Sequence, residues 1–357
     1  MLGLIFTLGL ALVANAISVQ PQHSVREYDF KPETATEYWK PEIPILFNFS
    51  SSQFSNKLGG KSATSSYYTT SFLTDTDRNQ HVILSHILIT ADNTTSFSAS
   101  SLNLTDLSYT SFMVNSNETG LQAGSLLNVT TDGNGFESLT EDNVSQMRTY
   151  SNDDKLAFDI TYNATTMALV DAGAGLFTFG DGVSYEWGLP GCYTAGTLTV
   201  GGQVVTIDPE NSFTWYDRQW NDGLPSNGNW TWFELHIPAT GYKMSIWAIN
   251  DEEPQQRYCF ATIRTGDGSQ NVVPITFNAD YTRHWYSNAS DYSYPLDWTL
   301  TIGDYGNFKI SSITNDQEIV GPTFSTSGYE GFITFDGTFE GKEVEGFGVV
   351  EVFHAVQ

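Results

Sequence analysis

Apolar and polar positions alternate along this chain in short runs bounded by Gly, Asn, Asp and Ser, and helical periodicity is nearly absent. A period of two with such boundaries predicts antiparallel strands. His81 to Thr90 is one, its face of Val82, Leu84, His86 and Leu88 carrying a single histidine on an apolar stripe. That imidazole reads either as a hydrogen-bonded core group or as part of a pocket wall. Thr197 to Ile207 predicts a hairpin turning at Gly201-Gly202. Residues 91–166 read as short strands at irregular spacing, and a second series runs from Trp230 to the C-terminus. Many short strands without βαβ alternation mean an all-β protein of sandwiches or barrels.

Two strands break the ordinary pattern. In Phe213 to Trp220, alternation puts Phe213, Trp215 and Asp217 on one face and Tyr216, Arg218 and Trp220 on the other. In Trp230 to Ile237 it puts Thr231, Phe233, Leu235 and Ile237 on one face, and Trp230, Trp232, Glu234 and His236 on the other. The first set of this second strand is an ordinary core. Two indoles beside a carboxylate and an imidazole describe a pocket wall with a few polar groups. Five of the nine tryptophans, ending at Trp247, fall within this region. The plainer reading is aromatic strand packing around a satisfied Asp217–Arg218 pair.

Composition narrows the setting. Residues 1–16 combine an apolar run with Ala14-Asn15-Ala16, the pattern of a cleaved signal peptide, so a secreted, extracellular protein is expected. Nine N-x-[ST] triplets, at Asn48, Asn93, Asn103, Asn117, Asn128, Asn143, Asn163, Asn229 and Asn288, fit a glycoprotein. A formal charge of −26 makes nucleic acid and anionic membranes poor partners. The only cysteines are Cys192 and Cys259; in an oxidising compartment they invite a disulfide, with two buried free thiols as the alternative. Nucleophile-elbow, H-E-x-x-H and P-loop motifs are absent, the six histidines are scattered, and Asp132-Gly133-Asn134-Gly135 reads as a turn rather than a calcium loop. No cofactor and no metal are expected.

From Trp187-Gly188-Leu189-Pro190-Gly191-Cys192-Tyr193 through Trp215-Tyr216-Asp217-Arg218-Gln219-Trp220, on to the Gly-x-Gly-x-x-Glu at 346–351, the chain resembles the AttH/CrtC-like family. That family includes carotenoid 1,2-hydratases and secreted fungal kievitone hydratases, and the leader and sequons favour the latter branch. The resemblance implies two lipocalin-like β domains, here 17–222 and 223–357. It also implies a cofactor-independent hydro-lyase that adds water to a prenyl-type alkene of an apolar phenolic metabolite, either in detoxification of a plant phytoalexin or in biosynthesis of a secondary metabolite. The aromatic-aromatic-Asp unit of the carotenoid enzymes matches Trp215-Tyr216-Asp217, which implies Asp217 as proton donor, although Arg218 and Gln219 depart from those enzymes. Glu234 and His236 are candidates to orient water. Trp215, Tyr216, Trp230, Trp232, Trp247 and His86 are candidate substrate contacts, and Arg218 a structural one. Because cyclases and pericyclases share the fold, a cyclase is the second reading; a non-catalytic binder of apolar ligands is the third.

Overall fold

The structure is a computed structural model that describes residues 26–40, 42–55, 63–117, 120–225, 228–252, 255–322 and 326–354. The expected leader, and part of the Ser/Thr/Gly-rich stretch after Ser50, lie outside these residues. Among them the only α-helix is the single turn Phe49–Ser52, capped by the Asn48 side chain. Everything else regular among the described residues is strand apart from short 3₁₀ turns such as Asp171–Gly173 and Pro209–Asn211.

The strands form two antiparallel sheets. Strands between Thr64 and Asn221 make the first, and strands between Asn229 and His354 make the second. The second closes on itself, because Gly306–Ser312 pairs with both Tyr292–Ile302 and Gly328–Phe339. Its barrel interior holds Phe233, Leu235, Ile237, Ile246, Trp298 and Phe335. The first sheet curls around Ile87, Phe97, Phe136, Trp187, Leu189 and Tyr216. Its Gly201-Gly202 hairpin forms as expected, with φ of +56° and +79°, a pair that favours glycine at both turn positions. Asp132 and Gly133 likewise make a tight turn between two strands.

The two sheets pack against each other through their outward faces. Tyr68, Leu84 and Trp215 of the first meet Trp232, Trp247 and Ile249 of the second in one apolar cluster. Phe72 and Phe213 meet Phe347 and Val349 in another. An extended arm seals that second cluster: Phe30 packs against Phe72, Phe213 and Phe347, with ring centroids 5.1–6.2 Å apart. Tyr38 and Trp39 of the same arm lean on Phe49, and the Ala168 N–H donates to the Tyr38 carbonyl.

Two expectations are corrected here. Cys192 and Cys259 are free thiols. They belong to different sheets; Cys192 is sealed in the first core while Cys259 lies against the second. Alkylation of unfolded, unreduced protein should therefore label both cysteines, whereas two protected thiols would mean the chain bridges them after all. Asn143 is also unsuited to carry glycan. It is buried at positive φ, its amide donates to Ser125 and Glu141 carbonyls, and its Oδ1 accepts the Leu127 N–H at 2.7 Å. Asn48, Asn93, Asn117 and Asn288 are exposed, while Asn103, Asn128, Asn163 and Asn229 are half-buried.

Candidate active site

Strand register alone predicts which side chains line up across the first sheet. Residues directly opposite on neighbouring antiparallel strands share a face, with Cβ atoms roughly 4.5–5.5 Å apart. One row across the outward face reads Gly188, Asp217, Tyr68, His86, Ser98 and Met113. Two residues further along each strand, the next row reads Glu186, Gln219, Ser66, Leu88, Ser96 and Asn115. The facing row of the second sheet reads Trp247, Trp232, Glu351 and Glu330. Between these walls lies a cavity of about 270 Å³. It is walled by Phe179, Trp230, Trp232 and Trp247, and four carboxyl groups line it: Glu186, Asp217, Glu330 and Glu351. No Lys or Arg is among its lining residues.

Asp217 owes its place to a glycine. A Cβ on Gly188 would come within 2.4 Å of Asp217 Oδ1, so the bare backbone there makes the space that the carboxyl fills. Its neighbour Arg218 points the other way, into the first core. There the guanidinium donates to the Ser66, Gln219 and Ser55 carbonyls and to Ser65 Oγ at 2.5–3.0 Å, and lies over the Tyr67 ring at 4.2 Å. Carbonyl dipoles and a π-face hold this cation without a carboxylate, which disposes of the Asp217–Arg218 pair.

Without a counter-ion, burial dominates the protonation of the site. Burial pushes the Asp217 carboxyl well above the usual carboxylate range; the negative charge of Asp171 adds to this, while the Trp215 indole N–H tempers it. Glu186 and Glu330 are raised well above theirs for the same first reason. Glu351 is raised only to about 7, because Trp230 Nε1 donates to its Oε1 at 2.7 Å. Asp171, also at about 7, stands behind the wall, where Trp232 donates to Ser245 Oγ (2.9 Å) and Ser245 to Asp171 Oδ1 (2.5 Å). His86 is lowered to about 4 by burial and shares a 2.9 Å hydrogen bond with Ser66. The imidazole is therefore neutral at ordinary pH, part of the pocket wall and hydrogen-bonded at once.

The other candidates divide. Trp230, Trp232, Trp247, His86 and Asp217 all line the cavity. Tyr216 does not; it lies on the opposite face with Arg218, its hydroxyl 2.6 Å from Gln53 Oε1 in the first core. Trp215 forms the layer behind the wall, with ring centroids 6.1 Å from Trp232 and 5.5 Å from His236. Glu234 and His236 share the face of Trp232, as alternation requires. The strand carries them past the cavity, however, to full burial, with the His236 ring packed against Phe72, Phe213 and Phe347. Neither is among the residues that line the cavity. Glu186, Glu330, Glu351 and Tyr68 are the site residues that the sequence reading missed. The available signal was a lone carboxylate within an aromatic or glycine-rich strand, as in Glu186-Trp187-Gly188 and Tyr329-Glu330-Gly331.

The AttH-like family profile matches residues 61–353. The chain belongs to the AttH-like family. Among its relatives, kievitone hydratase of Fusarium solani subsp. phaseoli is 44% identical over 345 residues, 96% of each chain. Dehydratase asqC of Emericella nidulans is 37% identical over 95% of this chain and 98% of its own. The crystal structure of kievitone hydratase from Nectria haematococca superposes with a TM-score of 0.85 at 42% identity, covering 92% of this chain and 99% of that one. A putative AttH from Nitrosomonas europaea, 17% identical with a TM-score of 0.69 over 88% and 99% of the chains, shares the fold. Kinship at 37–44% identity over nearly the whole chain with a hydratase and a dehydratase makes the chain a hydro-lyase acting on a small molecule. Among the described residues, no three His, Cys, Asp or Glu side chains converge as metal ligands do.

Proposed function

We propose that the protein adds water across a prenyl-type alkene of a phenolic metabolite, with Asp217 as acid and Glu351 as base. The observation carrying this is an indole-walled cavity lined by four carboxyl groups and no Lys or Arg, in which burial raises Asp217 well above the usual carboxylate range and Glu351 to about 7. Two titratable groups pushed apart by their surroundings assign the acid and the base. Asp217 gives its proton to the less substituted alkene carbon, and the positive charge forms on the more substituted one. The indole faces of Trp232 and Trp247 stabilise that cation by about 0.5–2 kcal/mol each. Ionised Glu351 takes a proton from the attacking water, and the new C–O bond completes the addition. Run backwards, the same pair removes water, which accords with a dehydratase among the relatives. The polar row of Ser66, Ser96, Asn115 and Gln219 supports a hydroxylated body for the rest of the substrate.

Kinship with kievitone hydratase supports a prenylated isoflavonoid in particular. The leader expected at residues 1–16 and the exposed sequons support secretion and a role in phytoalexin detoxification. One experiment addresses both: collect the protein from culture medium, confirm that it starts near Ile17, and incubate it with kievitone in heavy-oxygen water. The expected product has gained one water, with the heavy oxygen on the tertiary carbon. A ligand bound but unchanged would make the protein a carrier, and rearrangement without label would make it a cyclase. Activity confined to uncleaved intracellular protein would end the secretion reading.

A further inference from the structure

The Trp232 indole lines the cavity from the second sheet, but the group that anchors it comes from the first. Trp232 and Ser245 are diagonal neighbours on one face of two paired strands, and the indole N–H donates to Ser245 Oγ at 2.9 Å. An indole nitrogen only donates, and a hydroxyl carries a single hydrogen. Ser245 directs that hydrogen to Asp171 Oδ1, at 2.5 Å. The chain thus has one direction, from indole through hydroxyl to carboxyl. Ser245 and Asp171 are both buried, so water does not compete for these bonds.

Asp171 reaches Ser245 because the backbone leaves the first sheet at this point. Leu169–Val170 pairs with Gly188 and Trp187, and Asp171–Gly173 then makes a 3₁₀ turn. Ala172 takes a φ of +51° there, a conformation in which an L-residue is strained. Side chains of the second sheet hold the turn in place. Thr262 Oγ1 accepts the Ala172 N–H at 3.0 Å, and Gln270 Oε1 accepts the Val170 N–H at 2.8 Å. The Gln270 amide also donates to the Ala168 carbonyl at 3.1 Å. Strain that surrounding bonds maintain gathers at functional positions. The charged groups facing Asp171 are Glu186 and Asp217, both of which line the cavity.

We propose that Asp171 is a positioning residue: through Ser245 it fixes the Trp232 indole and enriches it in electrons, so that the cavity holds a positive charge better than a neutral group of the same shape. A hydrogen bond from an indole N–H to a hydroxyl that itself donates to a carboxylate polarises the whole chain and pushes electron density into the ring. A richer ring attracts a cation more strongly over its face. Four lining carboxyls, with no Lys or Arg, favour the same sign. The ligand class is an organic cation of prenyl size. A stable ammonium belongs to it, and so does the carbocation of the addition proposed above. Only the second of these rests on the hydration reading.

Choline and 3,3-dimethylbutan-1-ol have one shape and differ in the charged nitrogen. Titration calorimetry at pH 8, above the value of about 7 to which burial raises Asp171, should show the parent binding choline more tightly than its neutral isostere. Asp171→Asn keeps an acceptor for Ser245 but no charge, and Ser245→Ala keeps the carboxylate but cuts the chain. Each should weaken choline binding at least about threefold and leave the isostere within about twofold, the scale of part of a cation–π contact. The double variant should lose no more than the larger single loss, because both changes act on one chain. If one single variant does not fold, the other carries the comparison. Equal losses for the two ligands would make the chain purely structural. Additive losses would mean that Asp171 attracts the cation directly and not through the indole. Unchanged choline affinity in the variants, or a parent that does not prefer choline, would overturn the proposal. With kievitone as substrate, the same variants should lower kcat about three- to tenfold with KM within about twofold. A parent that prefers choline yet leaves kievitone unchanged would end the hydration reading and leave the role of Asp171 standing.

Discussion

Asp217→Asn should lower turnover on the order of 10²–10⁴-fold, the scale of a lost general acid, while the melting temperature at neutral pH stays at or above that of the parent. The asparagine amide has the shape and charge of the protonated carboxyl that burial enforces at this position. The substitution therefore deletes the transferable proton and little else. A stability loss is expected only if the carboxylate were ionised and paired in the fold. Breaking such a buried pair would cost roughly 3–5 kcal/mol. Arg218, the one cation next in sequence, faces the other core and is satisfied by carbonyls. Thermal melts together with specific activity per folded molecule decide the matter. A large fall in melting temperature with intact activity would show that Asp217 is structural.

The second large effect is on stability against pH. Glu186, Asp217, Glu234 and Glu330 are raised well above their ordinary values, and Asp171 and Glu351 to about 7, in each case first by burial. A carboxyl whose folded pKa is raised binds its proton more tightly folded than unfolded. Its contribution is complete below the unfolded pKa and is lost as pH rises through the folded one. The buried imidazoles of His86, His236 and His354 are lowered, so they work oppositely and lose stability as pH falls below 6.5. Lys243, lowered to about 8 by burial, opposes the carboxyls only above that pH. Between about pH 6.5 and about pH 8 the carboxyls act alone, and each that stays protonated removes about 1.4 kcal/mol of stability per pH unit. Asp171 alone carries on the order of 4 kcal/mol between its unfolded and folded values. The protein should therefore be most stable in mild acid and melt progressively lower across that window. Asp217→Asn should make the slope shallower. A flat or rising melting curve would mean that these carboxyls are ionised in the fold and that no protonated acid stands ready.

Sequence by itself determined the strands, their faces and much of the cavity wall. Period-two alternation is a local property of the backbone, so Trp230 and Trp232 could be separated from Phe233 and Leu235, and Asp217 from Arg218, without a structure. The Gly201-Gly202 turn was equally local, because two consecutive positive φ values favour glycine. Depth along a strand is a different matter. Alternation states that Trp232, Glu234 and His236 share a face, but the packing of Phe72, Phe213 and Phe347 decides where the cavity stops. Partners from distant strands were also out of reach. Glu186, Glu330 and Glu351 join Asp217 only because two separately formed sheets place their outward faces together. Cys192 and Cys259 were a plausible pair by number alone, until the same division into sheets gave each its own core. Protonation belongs wholly to this level. Nothing in an Asp or Glu codon position signals a raised pKa; it arises when tertiary packing removes water and supplies no cation.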